Sequence, residues 1–600
     1  MKTNSRDQEA QERRSGSDTP RWVAESGEDA RVRGRRPFDN GRKEEIPKVI
    51  HTRALPPRGR LRIRTGSSLA TLLLGLALAV AAALGVPEPV QSTEPGDPEG
   101  HLIRSLRVLQ RSGRDVSLAE AARRSGDLVT LAARRQRLLA ELIQDDPGAV
   151  LEASVPAEVR ASLPAAVQTY VEAEVELEGE LEVLHEDRDP GSRYLYFLKN
   201  KEERFSLHFA AHPPTLQTGS WVRVRGIRVE RALALESGSA GVVALSVVLP
   251  YTFGERRTLV LLVNFQDKPN EQPYTRDFAR DVVFGTASQF IWEASYLHTW
   301  LTGEVQGWYT IPLNSTICDP YQLASAAKAV AESVGVNLTA YTSLVYAFPS
   351  NACGWWGTGT VGGAPSETWI NGSLQVHVVA HELGHNLGLY HSRALNCGTQ
   401  TIGNNCTVLE YGDPLDVMGM STGHYNAFQK ERLGWLNYGT TPAITTVEAD
   451  GTYWLDPYEA SGANPKALKI LKGRDPTTGQ RTWYYVEYRQ AIGFDSFLAG
   501  NANVLNGVVI HTGSEATANS SNLLNLTPTT SSSSDPALAV GQSFYDPDAG
   551  VTIAPIWASS ANAAILVTFG AFDCLGPPSL ESAYCLRARR SRSGRLLPSR

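Results

Sequence analysis

His381-Glu382-Leu383-Gly384-His385-Asn386-Leu387-Gly388-Leu389-Tyr390-His391 is a HExxHxxGxxH run, and the chain around it must fold so that the run can hold a metal. On a helix, His381 and His385 stand one turn apart and project from one face. Glu382 is the next residue round, near enough to touch a water on the metal without being a ligand. Gly388 can adopt the positive φ that ends a helix and reverses the chain. The reversal brings His391 back as a third ligand. Three imidazoles leave a fourth tetrahedral position open, as a catalytic rather than a structural Zn2+ site requires. With 12 His, 52 Gly and 63 acidic residues in 600, the five fixed positions have a chance expectation on the order of 10⁻⁵. His381, His385 and His391 are thus the candidate metal ligands and Glu382 the candidate general base.

The chain has three methionines, Met1, Met418 and Met420. Asp, Pro and Gly around Met418 are turn-formers, and a polarizable thioether packs well beneath imidazole rings. Met418 is the candidate structural methionine, with Met420 as second choice. His377 lies four residues before His381, one turn too far along to be a ligand. His424 and Tyr425 follow the turn and are expected at the border of the substrate pocket.

The blocks HELGHNLGLYH (381–391), GDPLDVMG (412–419) and HYNAFQKERLGWL (424–436) resemble the gametolysin-type metallopeptidases, a metzincin branch. Leu259–Phe265, Ser295-Tyr296 through Gly307-Trp308-Tyr309, and Tyr484–Gln490 are similar to further blocks of that family. The resemblance runs from about residue 255 to about 570. It implies a zinc endopeptidase acting on protein or cell-wall glycoprotein. It also implies an edge strand that pairs with extended substrate, placed by the order of elements at Ser366–Asn371.

A net charge of −6 argues against nucleic acid as a partner. The six cysteines, Cys318, Cys353, Cys397, Cys406, Cys574 and Cys585, all lie in the later half of the chain. Their even number suggests disulfides in an oxidising compartment, with neighbours pairing as the favoured connectivity. Leu69–Val86 is an uncharged apolar run behind five arginines, which directs everything after it outside. Signal peptide and membrane anchor both remain open, so the protein is expected to be secreted or held by one N-terminal helix.

The expected units are a disordered tail (1–65), the targeting segment (66–87) and a linker with helices (88–160). Next come a small β-barrel serving as pro-region or spacer (161–250) and the zinc peptidase (255–437). A β-sandwich (438–572) and a basic Cys-containing tail (573–600) complete the chain. The barrel follows from period-two alternation at 171–183 and three further short strands, which suggest the OB type. Arg123, Arg124, Arg134 and Arg135 are expected on a solvated helix face, and Ala516–Asp535, rich in Ser, Thr and Asn, in a long loop. The fold class is therefore α+β: a metzincin-type domain between an OB-like barrel and a C-terminal antiparallel β-sandwich.

The expected function is hydrolysis of protein or glycoprotein by a monomeric extracellular zinc endopeptidase. The alternative is a catalytically inactive zinc-containing adhesion or cell-wall-binding protein. Residues 88–250 are expected to keep the enzyme latent. No cysteine lies between Pro87 and Ile317, so a carboxylate or simple occlusion would have to do this. Arg256-Arg257 is the expected basic cleavage site.

Overall fold

The computed structural model describes residues 98–570 apart from 189–190, 201–202, 237–239, 247–250, 437–442 and single positions 461, 477 and 531. The expected tails, the apolar run Leu69–Val86 and the Cys574–Cys585 pairing lie outside the described residues. Among the described residues no helix is long and apolar enough to cross a membrane.

Apolar residues at helical spacing build the first layer. Leu102, Leu106 and Leu109 of Pro98–Arg111 are buried against Leu131, Leu139 and Leu142 of Leu128–Leu142. Arg135 departs from the expected solvated face. It is fully buried, pairs with the buried Glu172, and donates to the Ala153 carbonyl at 2.6 Å. A guanidinium can be buried when a fork of acceptors meets it.

Strands follow in chain order: β1 (Ala173–Arg188), β2 (Arg193–Lys199), β3 (Arg204–Phe209), β4 (Trp221–Val229), β5 (Ala232–Leu235), β6 (Val242–Ser246), β7 (Gly254–Phe265), β8 (Thr299–Ile311), β9 (Ser343–Phe348), β10 (Trp355–Thr360) and β11 (Ser366–Asn371). They form one eleven-stranded sheet in the order β6-β4-β5-β3-β2-β1-β10-β11-β9-β7-β8. β1 is long enough to serve three neighbours. Its first half pairs with β4, its second half with β2, and its last residues with β10. The pairings β1–β2, β2–β3, β3–β5, β5–β4 and β4–β1 return to the strand they start from.

β7 is the continuous apolar run, covered on both faces as such runs require. Val260 and Leu262 face the core beneath the motif helix, whereas Leu259, Leu261 and Val263 face the helix Pro320–Ser333. Arg256 and Arg257 lie inside β7, in register with Leu301 and Thr302 of β8. Paired backbone is a poor substrate for a processing protease, so the expected cleavage site is not presented. A stretch of π-helix, Asp281–Ala287, carries the helix Arg276–Arg280 into the next, Ser288–Ala294.

Two further sheets, of eight and four strands, share one core, with Ile470, Tyr484 and Ile510 meeting Ile553, Ile565 and Val567. The expected antiparallel sandwich needs correction: Ile444–Val447 runs parallel to Ala467–Arg474, and Arg393–Asn396 parallel to Thr517–Leu524. Arg393–Asn396 enters the sheet just after the histidine motif, so its partner is set by where the motif ends rather than by a hairpin. Thr517–Leu524 also overturns the expected loop at 516–535. Disulfides join Cys318 to Cys353 and Cys397 to Cys406.

Candidate metal centre

The motif helix spans Val376–Asn386 and stops where Gly388 takes φ 94°. The three motif histidines are brought together. Their ring centroids stand 5.0 Å (His381–His385), 5.1 Å (His381–His391) and 5.2 Å (His385–His391) apart. Each ring is oriented by an acceptor at Nδ1. His381 meets the Val417 carbonyl at 2.7 Å, His385 the Leu389 carbonyl at 2.9 Å, and His391 the Glu410 carboxylate at 2.6 Å. A carbonyl or carboxylate oxygen only accepts, so Nδ1 carries a hydrogen and Nε2 is the ring nitrogen turned inward. His377 stays outside the cluster, its ring 6.3 Å from that of His381.

A fourth group stands among the imidazoles. Asp187, near the end of β1, places Oδ2 at 3.1 Å from His381 Nε2 and Oδ1 at 3.0 Å from His391 Nε2. His385 Nε2 is 3.7 Å away, and the Tyr411 hydroxyl donates to Oδ1 at 3.0 Å. His185 Nδ1 lies 2.6 Å from the same carboxylate, on the same face of β1. Burial, then the neighbouring His185, holds His385 down at about 4, so its ring is neutral. Ring nitrogens and carboxylate oxygens this close in a buried space need a cation between them, a proton or a metal ion. His185, Asp187, His385 and His391 form a group of donors that could hold a metal ion, and His381 adds a fifth. The donor set therefore fits a divalent cation with nitrogen and oxygen ligands.

Glu382 is buried on the same helix, with its carboxyl beside Asp187. Burial first, then the Asp187 carboxylate, pushes Glu382 well above the usual carboxylate range. Its side chain lies against β10, where a Cβ on Gly357 would come within 2.0 Å of Oε1. Glycine at 357 is what lets the carboxylate sit between helix and strand.

Residues 295–530 match the family model described as gametolysin peptidase M11. Over this segment the chain is gametolysin-like. The match runs across the boundary expected at 437/438, consistent with the strand that leaves the motif for the C-terminal sheet. No curated protein matches the chain. A solved structure titled "Structure of a chaperone-substrate complex" matches at 13% identity and a TM-score of 0.17, covering 35% of this chain and 32% of that one. The chain thus spans about a third of that structure's length, and so slight a likeness carries no argument.

Within the gametolysin-like segment Met418 is fully buried while Met420 is 71% exposed. The Met418 thioether lies under the motif helix, where a Cβ on Gly384 would come within 2.3 Å of Sδ. Gly384→Ala is expected to cost about 1–3 kcal/mol through overpacking and to weaken metal binding by tilting His385. Unchanged denaturant midpoint and metal affinity would contradict this packing.

The methionine loop is held by side chains that no local motif announces. Asp416 accepts from the Met418 and Asn426 amides, each at 2.7 Å. Asp413 meets His511 Nε2 at 2.8 Å, and His511 Nδ1 faces Glu487 at 3.3 Å. Burial opposes the charge on His511, but Glu487 and Asp413 overcome it and push the imidazole up to about 10. That value exceeds the unfolded one of about 6.5. The stabilisation is therefore complete below about pH 6.5 and lost as pH rises through about 10. The stability gap between wild type and His511→Asn is expected to shrink across this window, measured by denaturant unfolding. A gap independent of pH would contradict the buried imidazolium.

The expected pocket border is corrected. His424 is buried against Glu293 at 3.0 Å, and Tyr425 is buried with its hydroxyl on the Ala380 carbonyl at 3.1 Å. Tyr411, its ring 4.1 Å from that of His391, stands at the site instead. The expected edge strand is also corrected. Ser366–Asn371 is interior, flanked by β9 and β10, and β10 is the strand whose outer side receives β1. Asp187, His185, Glu410 and Tyr411 had no signature in the sequence, because each reaches the site from a turn or strand end far from the motif.

Proposed function

We propose that the protein is an extracellular zinc endopeptidase of metzincin type, and that an OB-like barrel precedes its peptidase domain. The observation that carries the peptidase reading is the convergence of three Nε2 atoms, each fixed through Nδ1, beside a buried carboxyl on the same helix. The family match supports peptidase activity, and the two disulfides fit an oxidising, extracellular location. The return of the β1–β5 pairings to β1 supports the barrel. Monomeric action on protein or glycoprotein is part of the same reading.

His381, His385 and His391 would hold the ion. Bound there, zinc supplies a Lewis acid for the scissile carbonyl and lowers the pKa of water to about 7. Glu382 takes the proton of the attacking water and returns it to the departing amine. The outer side of β10 offers unpaired backbone to an extended peptide once β1 is gone. Val417, Leu389 and Glu410 keep the imidazoles in the tautomer that a cation requires. Hydrolysis of denatured casein by the full chain after limited proteolysis, stopped by a chelator and restored by Zn2+, is the expected result. A zinc-loaded, processed protein that cleaves nothing would favour the adhesion alternative.

A further inference from the structure

We propose that Asp187 is a built-in latch: its carboxylate occupies the open position of the histidine site and keeps the peptidase inactive until β1 is released. The inference rests on the peptidase reading above and names how that same site is regulated.

Two requirements of a zinc peptidase are blocked by one segment. The first is an open position facing the three histidines. Asp187 fills it, with oxygens 3.0, 3.1 and 3.7 Å from the three Nε2 atoms. The second is a free sheet edge for the peptide. β1 lies antiparallel on β10, pairing Leu184 with Thr360, His185 with Gly359 and Glu186 with Thr358. The register breaks between Glu186 and Arg188, so Asp187 sits at an irregular step. Such a step re-aims a side chain out of the ladder, here into the site. The Thr358 hydroxyl donates to the His185 carbonyl, which fixes the strand one step before the latch.

A second anchor holds the segment from the other end of the motif helix. The Thr218 amide donates to the Val361 carbonyl at 2.9 Å, and Gln217 lies against Gly388 so closely that a Cβ there would come within 2.2 Å of Nε2. The proposed barrel thus grips both strand and helix around the site. Glu382 is disabled together with the metal position, because its carboxyl faces Asp187 where the attacking water would stand. The first cysteine is Cys318, so no thiolate of the N-terminal region performs this task.

Permanent ligation by Asp187 is the rival arrangement. The test uses the full chain loaded with Co2+, a visible-absorbing substitute for zinc, and acetohydroxamate as a probe of the open position. Wild type, Asp187→Asn and Asp187→Ala are compared. A site open about 1% of the time binds its probe about 100-fold more weakly than an open one. Both variants are therefore expected to keep the cobalt bands and to bind hydroxamate at least about 100-fold more tightly than wild type. Because β1 still covers β10 in the uncut variants, peptide hydrolysis is compared after limited proteolysis has released β1. Equal hydroxamate affinity in wild type and variants overturns the latch. So does loss of Co2+ from both variants, which would make Asp187 a permanent ligand. A variant that admits hydroxamate yet hydrolyses no peptide even after β1 is released by limited proteolysis keeps the latch and removes the peptidase reading.

Discussion

Glu382→Gln leaves one metal ion per chain and lowers peptide hydrolysis by the processed protein about 10²- to 10⁴-fold, the range of general acid–base catalysis. The amide keeps the shape that fits against Gly357, so the helix and its three imidazoles stay in place. It cannot accept the water's proton at neutral pH. Metal analysis and kcat on one peptide, measured on the same sample, check both halves of the expectation. Near-wild-type turnover with full metal would remove Glu382 from the chemistry.

Arg489→Met is expected to cost about 3–5 kcal/mol, because it leaves buried carboxylates without their cation. The guanidinium is fully buried and reaches Asp495 at 2.6 Å, Glu487 at 3.3 Å and Glu459 at 3.6 Å. It also donates to the Leu415 carbonyl at 2.9 Å and to that of His424 at 3.3 Å. Those two carbonyls bracket the methionine turn, so Arg489 ties the floor of the metal site to the C-terminal sheet. Chemical denaturation should show the loss, and metal should leave at lower denaturant than in wild type. A midpoint unchanged from wild type would mean that the turn is held by its own Asp413 and Asp416 alone.

The motif was legible because its information is local. Helical spacing sets His381 against His385, and Gly388 alone decides where His391 returns. The turn that buries Met418 is legible because turn-formers surround it. Asp187 was not legible, since one more acid in an acidic strand has no distinguishing neighbour, and its partner His391 lies 204 residues away. The edge strand was missed for a related reason. Trp355–Thr360 carries two glycines, which count against a strand by propensity, yet Gly357 is what gives Glu382 room. The strand Thr517–Leu524 resembles a loop in sequence because polar residues dominate it; only Ala518, Ser521, Leu523 and Leu524 are buried. Arg135 and Arg489 look like surface charges until the acceptors that surround them are in view.

X-ray absorption at the zinc edge of the full chain tests the central claim most directly. The predicted result is one zinc per chain with three imidazole nitrogens at about 2.0–2.1 Å and no sulfur ligand, and with one nitrogen lost in His391→Ala. Absence of zinc from protein prepared with the metal present, or an imidazole count unchanged in His391→Ala, would contradict it.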